Sequence, residues 1–201
     1  MSRLDWKGGN MLYPLPAVII TCKRKDCKPN AFTVAWCGNI CTNPPMLSIS
    51  VRKSRYSYDI IKESKEFVVN LVSEDLVREL DFCGVNSGRD VDKFEKCKFT
   101  LNPLPNMETP GILQSPVNIS CKLDRIIELG SHDLFIANVI GVNVDDKFLD
   151  ETNRFDLNKA NLVAYSHGQY FGLGEYLGHF GYSIRKKEIK NGKTGSIKHS
   201  K

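Results

Sequence analysis

No stretch of this sequence approaches the roughly 18 consecutive apolar residues of a membrane-spanning helix, and Met1-Ser2-Arg3-Leu4-Asp5-Trp6 does not read as a signal peptide. A membrane role is therefore not expected, and the cytoplasm is the expected compartment. A phosphate-binding loop is also missing. Gly192-Lys193-Thr194 ends like one, but the glycine required five residues before Gly192 is Lys187. There is no internal repeat, no alternation of strands with helices, and no carboxylate pair or Ser/His/Asp pattern. No residue is thus singled out as acid, base or nucleophile.

The charge surplus is equally thin once it is located. Of the net +5, residues 185–201 contribute seven Lys or Arg against Glu188, which leaves residues 1–184 with 21 bases and 22 acids. A nearly neutral body with a basic, Gly- and Ser-containing end reads as one domain over 1–184 followed by a flexible tail over 185–201, and nucleic acid is not an expected partner. The seven cysteines, an odd number with no export signal, argue for reduced thiols. Cys22, Cys27, Cys37 and Cys41 loosely suggest zinc. Their spacings are wider than a usual knuckle, and scattered thiols packed as small hydrophobes fit better, so no metal is expected.

What the chain does have is a series of short Val-, Ile-, Thr- and Phe-rich runs separated by Pro, Gly and Asn. They are Ala17–Cys22, Ala31–Trp36, Met46–Val51, Phe67–Leu71, Val117–Leu129 and Leu134–Val144, and each is expected to be a strand. The last two, joined through Gly130-Ser131-His132-Asp133, suggest an antiparallel hairpin at the edge of a barrel. Helical spacing appears over Tyr56–Ser64 and Glu74–Phe82, the latter with Ser73 as its expected N-cap. Residues 102–116 form a proline-rich loop. Many strands and few helices predict a mainly β fold built on a closed or partly open barrel.

The most informative stretch is Ser50-Val51-Arg52-Lys53-Ser54-Arg55-Tyr56-Ser57-Tyr58. It places three cations at the start of a helix, with no acid before Asp59. A helix N-terminus carries partial positive charge and unpaired N–H groups, so it prefers Asp or Glu there, as Glu74 and Asp75 provide for the next helix. Uncompensated cations at such a place suit an anion, most simply a phosphate. The alternative is an ordinary solvated basic turn.

Four stretches in this order resemble the FMN-binding split-barrel proteins of the flavin reductase and flavoredoxin group. They are Pro29–Trp36, Cys41–Arg52 with Arg55-Tyr56-Ser57, Ser87–Phe94 and Gly130–Phe135, joined by the Gly-rich, aromatic Tyr170–Ile184. The resemblance implies a Greek-key-like split β-barrel with a few short helices and one FMN per subunit. It places Asn30, Thr33, Val34, Ala35, Trp36 and Thr42 on the flavin, with the Thr33 and Thr42 hydroxyls addressing its polar edge. Ser50 is a further cofactor-binding position, and Arg52, Arg55, Tyr56 and Ser57 then form the phosphate corner, with Arg89 or Lys93 as a further cation. For Trp36 alone, a core aromatic is the alternative. The resemblance sets His132 beside a nicotinamide donor, NADH or NADPH, away from FMN because it is distant in sequence from the flavin-facing strand. His167 is a second candidate at the mouth. It further implies a homodimer and an oxidoreductase that passes electrons from NAD(P)H through flavin to an acceptor. The rival is a flavoredoxin-like carrier with tightly held FMN, a redox protein as donor and no nicotinamide site.

Overall fold

The computed structural model describes residues 1–184, so the basic tail expected at 185–201 lies outside the described residues. Along the chain run β1 (Leu15–Pro16), β2 (Val18–Cys22), β3 (Asn30–Val34), β4 (Cys37–Cys41), β5 (Met46–Val51), α1 (Tyr56–Ser64) and β6 (Glu66–Leu71). A 3₁₀ turn (Glu74–Leu76) then leads into α2 (Val77–Val85), α3 (Lys93–Lys96), β7 (Leu101–Asn102), β8 (Gly111–Ile112), β9 (Val117–Ile127) and β10 (Asp133–Val144). α4 (Leu157–Ala160), β11 (Val163–Ser166) and β12 (Gln169–Gly172) complete the regular elements used below. Among the described residues, no helix is long and apolar enough to cross a membrane.

Seven strands form one antiparallel sheet in the order β3-β2-β6-β9-β10-β5-β4. The edges, β3 and β4, are consecutive in sequence and joined only by Ala35 and Trp36. Two residues can join opposite edges of a seven-stranded sheet only if the sheet curls until those edges meet. They meet without a ladder. The Ser50 N–H donates to the Trp36 carbonyl at 2.8 Å, and no β3–β4 pairing forms. The barrel is therefore split along β3, whose residues pair on one side with β2 and on the other turn alternate N–H and C=O groups outward.

The barrel interior is filled by Ile20, Ile49, Val51, Phe67 and Phe135, with Ile60 and Ile61 of α1 closing one end. A second core, which includes Ile19, Leu80, Cys83, Phe94 and Ile112, packs α2 and α3 on the outer face of β2 and β3. Strands between two cores are buried on both faces, which is why β2 and β6 carry apolar residues on both faces, interrupted by Thr21 and Asn70.

Two expectations need correction. The β9–β10 hairpin forms, but it sits in the middle of the sheet, flanked by β6 and β5. Hairpin signals are local and do not report which outer strands will pair. Ser73 stands at the expected N-cap with extended backbone, yet its side chain makes no cap bond. The Asn161 carbonyl instead accepts the Glu74 N–H at 2.9 Å.

Candidate functional site

Two adjoining clefts open along the split. The first, about 420 Å³, is walled by Thr33, Val34, Ala35, Trp36 and Ser50 on the barrel side and by Gly84 and Val85 on the α2 side. The second, about 350 Å³, lies over the start of α1 and is lined by Asn30, Tyr56, Ser57, Ser87, Gly88, Arg89 and Lys93. Phe32, Arg52 and Arg55 line both. The two clefts make one trough, of mixed polarity where it follows β3 and cationic where it reaches α1.

The cationic end is built by local rules that the sequence partly reveals. Arg55 is the N-cap residue of α1, and no side chain caps that helix. The Arg55 guanidinium donates to the Gly84 carbonyl at 3.0 Å, at the C-terminal turn of α2 where a cation is favoured. Arg89 donates to the Ser54 carbonyl at 3.2 Å and lies 5.4 Å over the Tyr56 ring, whose other neighbour is Arg24 at 5.9 Å. Ser57 is buried and accepts a 2.8 Å hydrogen bond from the Asn30 amide. Lys93 is also buried, with its ammonium donating to the Cys83 carbonyl at 2.7 Å, and burial lowers its pKa.

One of the three cations expected to be uncompensated is paired after all. Lys53 faces Glu128 at 3.3 Å and the buried Asp133 at 3.5 Å, contacts across about 75–80 positions of sequence that no local reading registers. Asp133 also accepts from the Tyr58 hydroxyl at 2.7 Å and from the Leu129 N–H at 3.1 Å, and the Tyr58 bond is the main reason its carboxyl titrates below the ordinary range. Among the described residues, Arg52, Arg55 and Arg89 have no carboxylate partner.

Not every expected residue points into the trough. The Thr33 hydroxyl donates to the Leu80 carbonyl, so it serves the α2–β3 contact; only the Thr33 backbone is offered to the cleft. Thr42 is exposed in the turn between β4 and β5 and lies in neither cleft wall. Packing engages the Thr33 hydroxyl with Leu80 and leaves Thr42 outside both clefts.

His132 joins the site in a way sequence distance concealed. Its ring lies against Trp36, centroids 4.5 Å apart at 43°, and Arg52 Nε donates to its Nε2 at 3.3 Å. With Nε2 accepting, Nδ1 carries the proton and meets Ser131 Oγ at 2.9 Å. Burial, then the charges of Arg52 and Arg55, lower its pKa. The expectation that it stands apart from the flavin-facing strand is thus wrong. His167 occupies the β11–β12 turn at φ 48°, with its ring 4.1 Å from Tyr13 and its Nε2 3.4 Å from Met11 Sδ. It backs the cleft wall without lining it.

That wall is what sequence reasoning missed. The small sheet β1-β11-β12 brings Tyr13, Tyr165 and Tyr170 to the first cleft, and Tyr170 donates to Asp81 of α2 at 3.1 Å. Tyr13 lies about 150 positions from Tyr165 and Tyr170, and no spacing signal links them. The Ser87-Gly88-Arg89 stretch, by contrast, was legible. Gly88 needs its missing side chain, because a Cβ there would sit 2.2 Å from Asn30 Oδ1 and 2.8 Å from the Tyr56 ring. The four N-terminal cysteines do not gather: Cys22 is buried in β2 and Cys27 is exposed. Among the described residues, no three potential metal ligands cluster.

Comparison with known proteins places this geometry in a family. Residues 10–174 match the family model described as flavin reductase like domain. A curated protein of unassigned function from Archaeoglobus fulgidus is 31% identical over 160 residues, covering 80% of this chain and 88% of the relative. Flavoredoxin of Desulfovibrio vulgaris (Miyazaki F) superposes with a TM-score of 0.86 at 29% identity, over 92% of this chain and 100% of that one. Flavoredoxin from Methanosarcina acetivorans gives 0.84 at 25% identity, over 91% and 97%. The split sheet, the trough along it and these matches agree, and the chain belongs to the flavin reductase-like domain family.

Proposed function

We propose that the chain binds FMN in the trough and passes electrons from NADH or NADPH through it to an acceptor. The observation that carries this reading is the junction of the two clefts at Phe32, Arg52 and Arg55, which sets a slot with both apolar and polar walls and an exposed strand edge beside a cationic pocket. A flat ring system with one polar edge suits the first, and a phosphate suits the second. The residues fit the group. α1 has no side-chain cap, three arginines there lack carboxylate partners among the described residues, and Gly88, where a Cβ would collide with Asn30 and Tyr56, lets the loop carrying Arg89 lie close against the pocket. Arg52, Arg55, Arg89 and Ser57 would hold the phosphate, and the backbone from Thr33 to Trp36 would meet the ring edge. When bound, FMN supplies the hydride- and electron-accepting chemistry. The protein binds and orients, and the Arg52 and Arg55 charges favour negative charge in the trough. Titrating apoprotein with FMN while following flavin fluorescence tests this. Quenching with saturation at one flavin per chain is expected, and a flat titration with a colourless purified protein removes the proposal.

His132, its ring tilted against Trp36, stands where it can orient a nicotinamide against the ring. His132→Ala should reduce the rate of flavin reduction by NADH or NADPH about tenfold, near ~1.4 kcal/mol of barrier. FMN affinity should change much less, because Arg52 and Arg55 remain. Stopped-flow absorbance checks both, and a wild-type reduction rate would remove His132 from this role. A second reading, a carrier that draws electrons from a redox protein, is favoured by the likeness to two flavoredoxins. Holoprotein that stays oxidised for seconds with both nicotinamides would select the carrier.

We also propose a homodimer. Leu4, Trp6 and Leu12 near one end, and Leu177, Phe180 and Ile184 near the other, are each at least 75% exposed. So much apolar surface in two extended segments is what a second copy would cover. Sedimentation should show a dimer that FMN strengthens by mass action. A monomer of unchanged mass with and without FMN would count against it. Unbridged thiols at all seven cysteines suit a cytoplasmic setting.

A further inference from the structure

Lys93 lines the second cleft together with Arg52, Arg55 and Arg89, and the function proposed above gives it no task. The residue is only 3% exposed, and among the described residues its ammonium pairs with no carboxylate. The neighbouring acid is engaged elsewhere, since Asp92 accepts from Lys28 at 2.8 Å and from the Glu95 N–H at 3.2 Å. What holds the ammonium is a helix end. Consecutive carbonyls in the last turn of α2, those of Cys83 and Gly84, accept from Lys93 at 2.7 Å and from Arg55 at 3.0 Å. A helix C-terminus offers about half a negative charge, and here it faces two full positive ones.

A buried ammonium without a counter-charge is unfavourable, and it is relieved either by losing its proton or by gaining an anion. The arginines that share the cleft keep their protons, so Lys93 is the cation able to give one up. Its surroundings favour that loss. Burial is the largest cause, and the Arg55 charge acts in the same direction against the thiols of Cys83, Cys22 and Cys97, while Arg52, Arg89 and Tyr56 stand along the cleft. A phosphate seated among these cations would supply the missing negative charge.

We propose that the buried Lys93 is the proton-linked member of the phosphate cradle, so that FMN binds only fully to the charged ammonium and takes up a proton on binding in alkaline solution. The inference rests on the FMN reading above and adds a control of that site by pH. The sign follows from the two states of the cleft. Empty, it lets Lys93 discharge below the ordinary lysine range; filled by a phosphate dianion, it holds the proton on. FMN affinity is therefore full at neutral pH and falls as the pH rises through the value at which Lys93 discharges in the empty cleft. Riboflavin, which brings no phosphate, is indifferent to that proton.

The test titrates the full-length apoprotein with FMN and with riboflavin, in steps from about pH 7.5 to about pH 10, and follows flavin fluorescence. The phosphate is a dianion over this range and the ring is common to both ligands, so a difference between their profiles belongs to the phosphate site. The FMN dissociation constant should rise about tenfold or more, and that of riboflavin about twofold or less. Calorimetry at the alkaline end, in two buffers of different ionisation enthalpy, should show net proton uptake with FMN and none with riboflavin. Lys93→Met fills the same space without charge and should bind FMN about tenfold more weakly at neutral pH, with the difference in pH dependence gone. Lys93→Arg, whose charge does not titrate, should lose that dependence too, and riboflavin affinity near the wild-type value shows that each variant folds. Parallel FMN and riboflavin profiles in the wild type, or a wild-type FMN profile kept by both variants, would overturn this inference and leave the FMN reading standing. No FMN binding at any pH would remove both.

Discussion

Replacing Arg55 by alanine is expected to weaken FMN binding by about 1.5–3 kcal/mol, roughly 10- to 150-fold, while weakening riboflavin far less. The magnitude is that of a hydrogen bond to a charged group, and the selectivity follows from position. Arg55 lies at the junction of the two clefts, caps α1 with its backbone and has no carboxylate to satisfy it. Among the described residues its guanidinium makes one hydrogen bond, to the Gly84 carbonyl at the C-terminal turn of α2, where water can replace it. The fold should therefore tolerate the loss, and the phosphate should not. Paired fluorescence titrations with FMN and riboflavin check the result. Equal losses for both ligands would mean that Arg55 does not address the phosphate.

The second large effect concerns the frame. Asn70→Ala should lower the unfolding free energy by about 3–5 kcal/mol, because it orphans several buried groups at once. Asn70 is fully buried in β6. Its carbonyl oxygen accepts from the Ile112 N–H and the Asn118 amide, both at 2.9 Å, and its own amide donates to the Ile19 carbonyl at 2.8 Å. One side chain thus joins β2, β6, β8 and β9 between the two cores. Removing it leaves the buried Ile112 N–H without its side-chain acceptor and the Asn118 amide with only the Ile112 carbonyl, in addition to a cavity. Urea unfolding measures the change, and a loss below about 1 kcal/mol would show that water takes over these bonds.

Asn70 also shows where sequence reading reaches its limit. In Phe67-Val68-Val69-Asn70-Leu71 the asparagine is a polar interruption of a strand, and the pattern still yields the strand. Its partners lie 42 to 51 positions away, so its purpose is invisible locally. The same division runs through the site. β5 and α1 occupy the predicted Met46–Val51 and Tyr56–Ser64, because β-branched runs, helical spacing and the dipole rule act over a few residues. The exposed β4, with Gly38 and Asn39 at its centre, carries no such signal.

By itself the sequence determined the strand-rich class, the start of α1, the cationic corner at Arg52 and Arg55, and through its motifs the family. Those features are written in neighbouring residues, and short-range sterics and electrostatics suffice to read them. Only the tertiary structure decided that the Ala35-Trp36 link closes the sheet edges into a split barrel, that Lys53 is neutralised by Asp133, and that His132 rests on Trp36. It alone turned the Thr33 hydroxyl towards Leu80 and assembled the tyrosine wall from β1, β11 and β12. Each of these depends on which distant strands pair, and pairing is settled by burial of both sheet faces across the whole chain, a cooperative quantity that no window of residues contains.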